Sequence, residues 1–267
     1  MLISGKDNPR LKRLAKLCKS SSFRRSEGEF VIEGLRGCAD AVRSFSEGLV
    51  EITGFYYQSS AFSGSSYVAY EQFDSIPDDR RFELSEGLAD KVSDMKSSQG
   101  VFMTAKRTAR PLSELDSGKT PKILVLDAVK DPGNVGTLLR TADAVGIKAA
   151  VLTGECADVF SPKVVRSTVG SLLRLGIFIE NDFENVCKAL KAQDMRVCAA
   201  VVRGGEKLPG FVFPEKCAVV IGNEARGLSD ADTGLCTDRI TINMKGRAES
   251  LNAAMAGSII MWEMQRG

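Results

Sequence analysis

The residues of this sequence that could do chemistry sit in three polar loops, each following a short apolar run. The first, Asp127–Gly133, leads into Asn134 and Arg140; the second, Ile221–Leu228, carries Glu224; the third, Lys245–Glu249, runs into Ser250 and Asn252. Glycines at Gly133, Gly136, Gly222, Gly227 and Gly246 would let backbone come close to a small ligand. Any one of these loops reads equally well as an ordinary turn. Three at strand ends within one domain shift the balance toward a site. The polar side chains carry two readings as well. Asn134, Glu224 and Asn252 are residue types that cap helices and form turns, Ser250 can cap a helix with no catalytic role, and Arg140 can be a plain surface cation.

Composition removes several chemistries. The chain has no His, which excludes His-based triads, His metal sites and imidazole as a general base. Its seven Cys are an odd count, with no two within four residues, so a disulfide framework and zinc-knuckle spacing are disfavoured and reduced thiols are expected. Gly133 and Gly136 do not make a dinucleotide fingerprint, and no Walker lysine pattern is present. No apolar run approaches the roughly 18 residues of a membrane span, and the basic N-terminus lacks an apolar signal core. A cytoplasmic protein with no membrane partner and no metal is expected.

The elements that must position the loops follow from the apolar pattern. From residue 122 onward strands and helices alternate: strand 123–126, a helix starting near Asn134 as its cap, strand 149–152, a helix near 163–174, strand 176–179, helix 183–192, then strands 196–201 and 217–221. A strand over Ile240–Met244 and a last helix, Leu251–Met264, capped by Ser250, complete the chain. This alternation predicts an α/β domain with a mainly parallel sheet covered on both faces, with ligands outside the carboxyl ends of the strands. The last helix is apolar nearly all round, so it needs cover from its own domain or from a second subunit.

Residues 1–104 read as a smaller α/β domain. A helix begins at Asn8-Pro9 and stops at Ser20; a strand covers Phe30–Ile32, followed by a helix to Phe45. Then come a strand over Val50–Tyr57, a Ser/Gly loop over Ser59–Ser66, a strand over Tyr67–Tyr70, a helix over Glu83–Ser93 capped near Ser85, and a strand over Gly100–Thr104. Residues 105–121 have little apolar pattern and read as the linker to a second domain, 122–267. The first thirty residues hold eight Lys or Arg against three acids, and Arg10, Lys12, Arg13, Arg24 and Arg25 form a candidate footprint for phosphate backbones. A solvated basic helix is an equally good reading of the charge alone.

The three loops resemble the signature motifs of the SpoU (TrmH-like) RNA 2′-O-ribose methyltransferases of the SPOUT superfamily. The match lies in Asn134–Arg140 (NVGTLLR), Ile221–Leu228 (IGNEARGL) and Ile240–Asn252 (ITINMKGRAESLN), in the family's order and spacing. Asn8-Pro9-Arg10, Arg24-Arg25 and Phe30–Gly34 (FVIEG) resemble the family's N-terminal substrate-binding domain of ribosomal-protein-like fold. The resemblance implies a deep trefoil knot near the C-terminus, which physical rules alone would not suggest, and a homodimer. It implies S-adenosylmethionine as cofactor, held by loops at Thr153, Gly154, Ile221, Gly222, Asn223, Ile242 and Met244, with Ser250 and Leu251 beside it. Functional positions carried over from the family are Asn134, Arg140, Glu224, Ser250 and Asn252, with Arg140 also meeting RNA. Asn243 stands where the family often has Pro. The activity implied is ribose 2′-O-methylation, most simply of ribosomal RNA. A transfer-RNA 2′-O-methyltransferase, a base methyltransferase and a non-catalytic RNA-binding or ribosome assembly protein on the same scaffold remain alternatives.

Overall fold

In chain order the first 106 residues supply strands β1 (Leu2–Ile3), β2 (Glu29–Glu33), β3 (Ile52–Tyr57), β4 (Arg81–Leu84) and β5 (Val101–Lys106). Helices α1 (Pro9–Lys19), α2 (Ser21–Glu27), α3 (Leu35–Ser46) and α4 (Ala89–Val92) lie between them. The following strands are β6 (Ala109–Pro111), β7 (Lys122–Asp127), β8 (Ala149–Thr153), β9 (Gly176–Ile179), β10 (Arg196–Ala200), β11 (Glu206–Leu208), β12 (Cys217–Ile221) and β13 (Asp238–Ile242). Their helices are α5 (Pro132–Ala144), α6 (Pro162–Thr168), α7 (Phe183–Lys191), α8 (Asp230–Leu235) and α9 (Ala253–Arg266). This computed structural model describes residues 1–63 and 70–266, so the expected strand over Tyr67–Tyr70 lies outside the described residues except for Tyr70, which opens a single 3-10 turn, Tyr70–Phe73. By internal packing the chain divides into two units: Met1–Thr108 with Phe160–Arg174, and Ala109–Val159 with Leu175–Gly267.

The first unit is a five-stranded sheet in the order β1-β4-β3-β5-β2. β5 runs antiparallel to both β2 and β3, while β4 is parallel to β1 and β3. Helix α1 starts where the sequence places it: Pro9 needs no amide partner, and the Asn8 side chain accepts from the Arg10 amide. Its buried Leu11, Leu14 and Leu17 pack with Val31, Tyr56, Phe82 and Phe102. Ser20 ends α1 but also caps α2, a helix the basic composition concealed. The helix expected over Glu83–Ser93 is instead strand β4 followed by the single turn α4, because Phe82 and Leu84 alternate with polar neighbours in a half-buried strand.

The second unit has an eight-stranded sheet in the order β11-β13-β10-β12-β7-β8-β9-β6, and every pairing within it is parallel. Both faces are covered, as buried parallel strands require: β7, β8 and β12 are buried at nearly every residue. On one face Ile123, Val125, Val151, Val197 and Val220 pack with Val186 and Leu190 of α7. Helix α9 lies against α5, where Gly257 permits the approach: a Cβ there would stand 2.3 Å from Leu138 Cδ2. The segment 105–121 is more than a connector. Ala105 and Lys106 complete β5, Ala109–Pro111 add an edge strand beside β9, and Leu112 and Leu115 are buried in the core. The expected helix near 163–174 is short, α6 and then a single turn at Ser171–Leu173, separated by Val169 and Gly170 at positive φ.

Candidate functional site

Helix α5 begins at Pro132, earlier than the sequence suggests, and its cap is Asp131 rather than Asn134. The Asp131 carboxylate accepts from the Asn134 amide at 2.9 Å, which is normal N-cap geometry and satisfies one orphan donor of the first turn. The Asn134 side chain is thereby left free to act on its neighbours. The last helix is likewise capped differently from expectation. Asn252, not Ser250, caps α9, accepting from the amides of Ala254 at 2.9 Å and Met255 at 3.2 Å.

These starts bring three distant loops together. The Glu224 carboxylate accepts from the amides of Lys130 at 3.1 Å and Asp131 at 2.9 Å and from Asn134 Nδ2 at 3.0 Å. Asn134 Oδ1 in turn accepts from Asn252 Nδ2 at 3.0 Å. Burial pushes the Glu224 carboxyl up. Hydrogen bonds from Asn134 and from the amides of Asp131, Glu224 itself and Lys130 outweigh that and hold it below the usual carboxylate range. Three of the five functional positions expected from the sequence therefore form one hydrogen-bonded chain.

The loop after β12 folds back on itself, with Asn223 bridged to Gly227. Gly222 is required there: a Cβ would stand 2.7 Å from the backbone of Gly227 and Leu228. Asn223 shapes the loop, accepting from the amides of Ala225 and Arg226 and donating to the Ala128 carbonyl at 2.9 Å.

Beside this chain of hydrogen bonds, at the carboxyl ends of β10, β12 and β13, lies a cavity of about 270 Å³. Ile221, Gly222, Asn223, Ile242, Met244, Ser250 and Leu251 all line it, as does Glu224. Thr153 and Gly154, expected in the same site, are not among its lining. They close the end of β8, where a Cβ on Gly154 would meet the Asp127 carboxylate and Ala128. Sequence reasoning missed other wall residues, among them Val201, Val202, Ala256 and Ile260. The only available signal was their place just after a parallel strand or on the last helix. The cavity suits an adenosyl sulfonium in kind. Leu251, Ala256 and Ile260 offer apolar wall, and the glycine cradle at Gly222 lets backbone approach where a side chain would fill the space.

The remaining candidates are placed differently. Arg140 is exposed on α5, and its side chain makes no ion pair or hydrogen bond among the described residues. Ser250 is exposed at the mouth of the cavity. In the first unit Arg10 lies over the Phe82 ring at 4.4 Å, Lys12 pairs with Asp7, and Arg13 pairs with Glu27 and Glu29. Arg24 is only 4% exposed and donates to the carbonyls of Leu17 and Cys18. It ties α1 to α2 and presents no charge to a ligand, a correction to its place among the RNA-facing cations. Arg25 is exposed. Among the described residues no group of three or more His, Cys, Asp or Glu side chains could hold a metal ion, and no helix is long and apolar enough to cross a membrane.

Comparison with known proteins gives this arrangement a context. Residues 121–262 match the model of the SpoU rRNA Methylase family, and residues 8–103 match the MRM3-like substrate binding domain. The chain is 31% identical over 184 residues to the 23S rRNA (guanosine(2553)-2′-O)-methyltransferase RlmP of Bacillus subtilis, a match covering 69% of this chain and 72% of that one. It superimposes on the AdoMet-bound rRNA methyltransferase of Sinorhizobium meliloti with a TM-score of 0.85 at 26% identity, covering 100% of this chain and 97% of the other. The SpoU methyltransferase AviRb of Streptomyces viridochromogenes in complex with AdoMet gives a TM-score of 0.84 at 26% identity, with 97% of each chain covered.

Proposed function

The chain belongs to the SpoU rRNA methylase family, and from that premise we propose that it transfers a methyl group from S-adenosylmethionine to a ribose 2′-hydroxyl of ribosomal RNA. The observation that carries this reading is the hydrogen-bonded chain Glu224–Asn134–Asn252, which links all three family motifs beside one glycine-cradled cavity.

When bound, S-adenosylmethionine supplies an electrophilic methyl on a sulfonium, which needs no metal. The backbone of the loop at Gly222 and the walls at Ile242, Met244 and Leu251 are the residues that would hold it. The protein's task is to align a poorly nucleophilic hydroxyl with that methyl and to accommodate the charge that develops on oxygen. Glu224 holds the Lys130–Asp131 backbone and orients the Asn134 amide, and Asn252 fixes the other side of that amide. Together they set the wall along which the ribose lies. Arg140 is a permanent cation with five donors and no acceptor. It is suited to gripping the target phosphate and stabilising the developing alkoxide rather than to acting as a simple base.

Two further elements complete the proposal. Met255, Ile259 and Trp262 are 57%, 38% and 61% exposed and fall on one face of α9, i, i+4 and i+7. A second copy of the chain covers that face and brings its Arg140 near the shared site. The return of the chain after β13 into α9, which packs on α5 and β12, supports a trefoil knot of the family's kind, acting in the cytoplasm. The first test is to incubate the full chain with labelled S-adenosylmethionine and ribosomal RNA and digest to nucleosides for mass spectrometry. A 2′-O-methylnucleoside supports the reading; a base-methylated product or none opposes it.

A further inference from the structure

The first unit contains a second cavity, of about 200 Å³, made wholly from its own residues and remote in the sequence from the three motifs. Its size is below that of pockets for drug-sized molecules and suits one ring system. Ile32, Met95 and Leu172 give it apolar walls, and Glu33, Gln99 and Arg36 supply its polar edge.

The polar groups are specific in kind. The Glu33 side chain is 1% exposed. Its Oε1 accepts from the Ser93 hydroxyl and, at 3.5 Å, from Ser98, while among the described residues its Oε2 accepts only from Arg166 Nη1, at 3.0 Å. A carboxylate oxygen can accept twice, so Oε2 keeps an open acceptor position. Arg166 also pairs with Asp94 at 2.8 Å, and the cluster of one guanidinium and two carboxylates is net negative. Gln99 spends its Oε1 on the Leu35 amide at 2.9 Å, capping the start of α3, and its Nε2 has no partner among the described residues. Gly34, at φ +93°, makes room for that amide, since a Cβ there would stand 2.8 Å from Gln99 Oε1. Arg36 is exposed, with no ion pair among the described residues.

The cavity thus offers apolar walls, a buried acceptor with negative surroundings and, among the described residues, an amide donor without a partner and a cation without an ion pair. Guanine is the nucleobase whose Watson–Crick edge carries two adjacent donors, N1–H and N2–H, next to one acceptor, O6. Single-stranded RNA exposes such edges when bases unstack. We propose that this cavity takes one unpaired guanine nucleotide of the RNA substrate, with Glu33 accepting from its donor edge, the Gln99 amide donating to O6 and Arg36 meeting its phosphate. The inference rests on the reading of the protein as an RNA methyltransferase.

One spectrum tests both separately. In full-length protein labelled with methyl-¹³C methionine, Met95 reports on this cavity and Met244 on the cofactor cavity, each assigned by its leucine variant. The trinucleotide UpGpU is expected to shift Met95 saturably, with UpApU, UpCpU, UpUpU and the inosine analogue at least about tenfold weaker. Glu33→Gln is expected to weaken UpGpU by at least about tenfold. Gln99→Glu, at an exposed position and retaining the oxygen that caps Leu35, is expected to do the same while the Met244 shift caused by S-adenosylmethionine persists. No Met95 shift, or equal shifts with all the trinucleotides, overturns the guanine site. If S-adenosylmethionine leaves Met244 unmoved, the methyltransferase reading fails instead.

Discussion

Asn252 Nδ2 donates to Asn134 Oδ1 across 3.0 Å, so the cap of the last helix and the first turn of α5 form one hydrogen-bonded unit 118 residues apart in sequence. The same Asn252 spends its own oxygen on the amides of Ala254 and Met255. A single residue therefore both starts α9 and aims the amide of Asn134.

Replacing Asn252 with Ala removes a helix cap and one partner of Asn134. The cap alone costs about 0.5–2 kcal/mol, to be read as a lowered denaturation midpoint. Asn252→Asp keeps the cap but replaces the amide donor with a carboxylate facing Asn134 Oδ1. Its stability is expected to stay near wild type while methyl transfer falls, measured by single-turnover kinetics on ribosomal RNA.

Glu224 gives the chain a pH signature. Its folded-state pKa is depressed, so it contributes stability above the unfolded value of about 4.3. That contribution is lost as pH falls through the folded value. In denaturant titrations the stability gap between wild type and Glu224→Gln should be open at about pH 7 and close by about pH 3. A gap that widens in acid would contradict the assigned direction.

Gly222→Ala places a Cβ 2.7 Å from the backbone of Gly227 and Leu228. Both atoms belong to the Gly227–Leu228 peptide bond, which cannot yield as the end of a flexible side chain would, so a cost of about 1–3 kcal/mol is expected. Calorimetry should show weakened or lost binding of S-adenosylmethionine. Gly204, at φ +80° with nothing within 4 Å of an added Cβ, is the control: Gly204→Ala strains its loop yet leaves cofactor affinity unchanged.

The exposed stripe on α9 predicts oligomeric state. Wild type is expected to sediment as a dimer, and Trp262→Glu, which puts a charge on a side chain already 61% exposed, as a folded monomer. A monomeric wild type at micromolar concentration would remove the dimer from the account.

Much of this was legible in the sequence because the second unit keeps strict local rules. Short apolar runs such as Ile123–Leu126 and Cys217–Ile221 are buried parallel strands, and the three polar loops lie at their carboxyl ends or those of β13. What could not be read was decided by tertiary competition for caps and charges. Asp131 displaced Asn134 from the cap of α5, and Asn252 displaced Ser250 from that of α9, because each spacing offered two capping residues. Arg24 looked like its basic neighbours, but its burial depends on the turn between α1 and α2. Thr153 and Gly154 end a strand like the motif loops do, yet β7 separates β8 from β12, and the cavity lies on the far side. The edge strands β6 and β11 are three residues each, too short for periodicity to register.

The central claim is that Arg140 serves methyl transfer from a surface position without taking part in fold or cofactor binding. The most direct measurement is 2′-O-methylnucleoside formation on ribosomal RNA by wild type and Arg140→Ala, with calorimetric S-adenosylmethionine binding measured on both. The account predicts unchanged cofactor affinity and a rate lowered on the order of 10²–10³-fold, the cost of removing one group that stabilises a developing oxyanion. Wild-type rates in Arg140→Ala would contradict it.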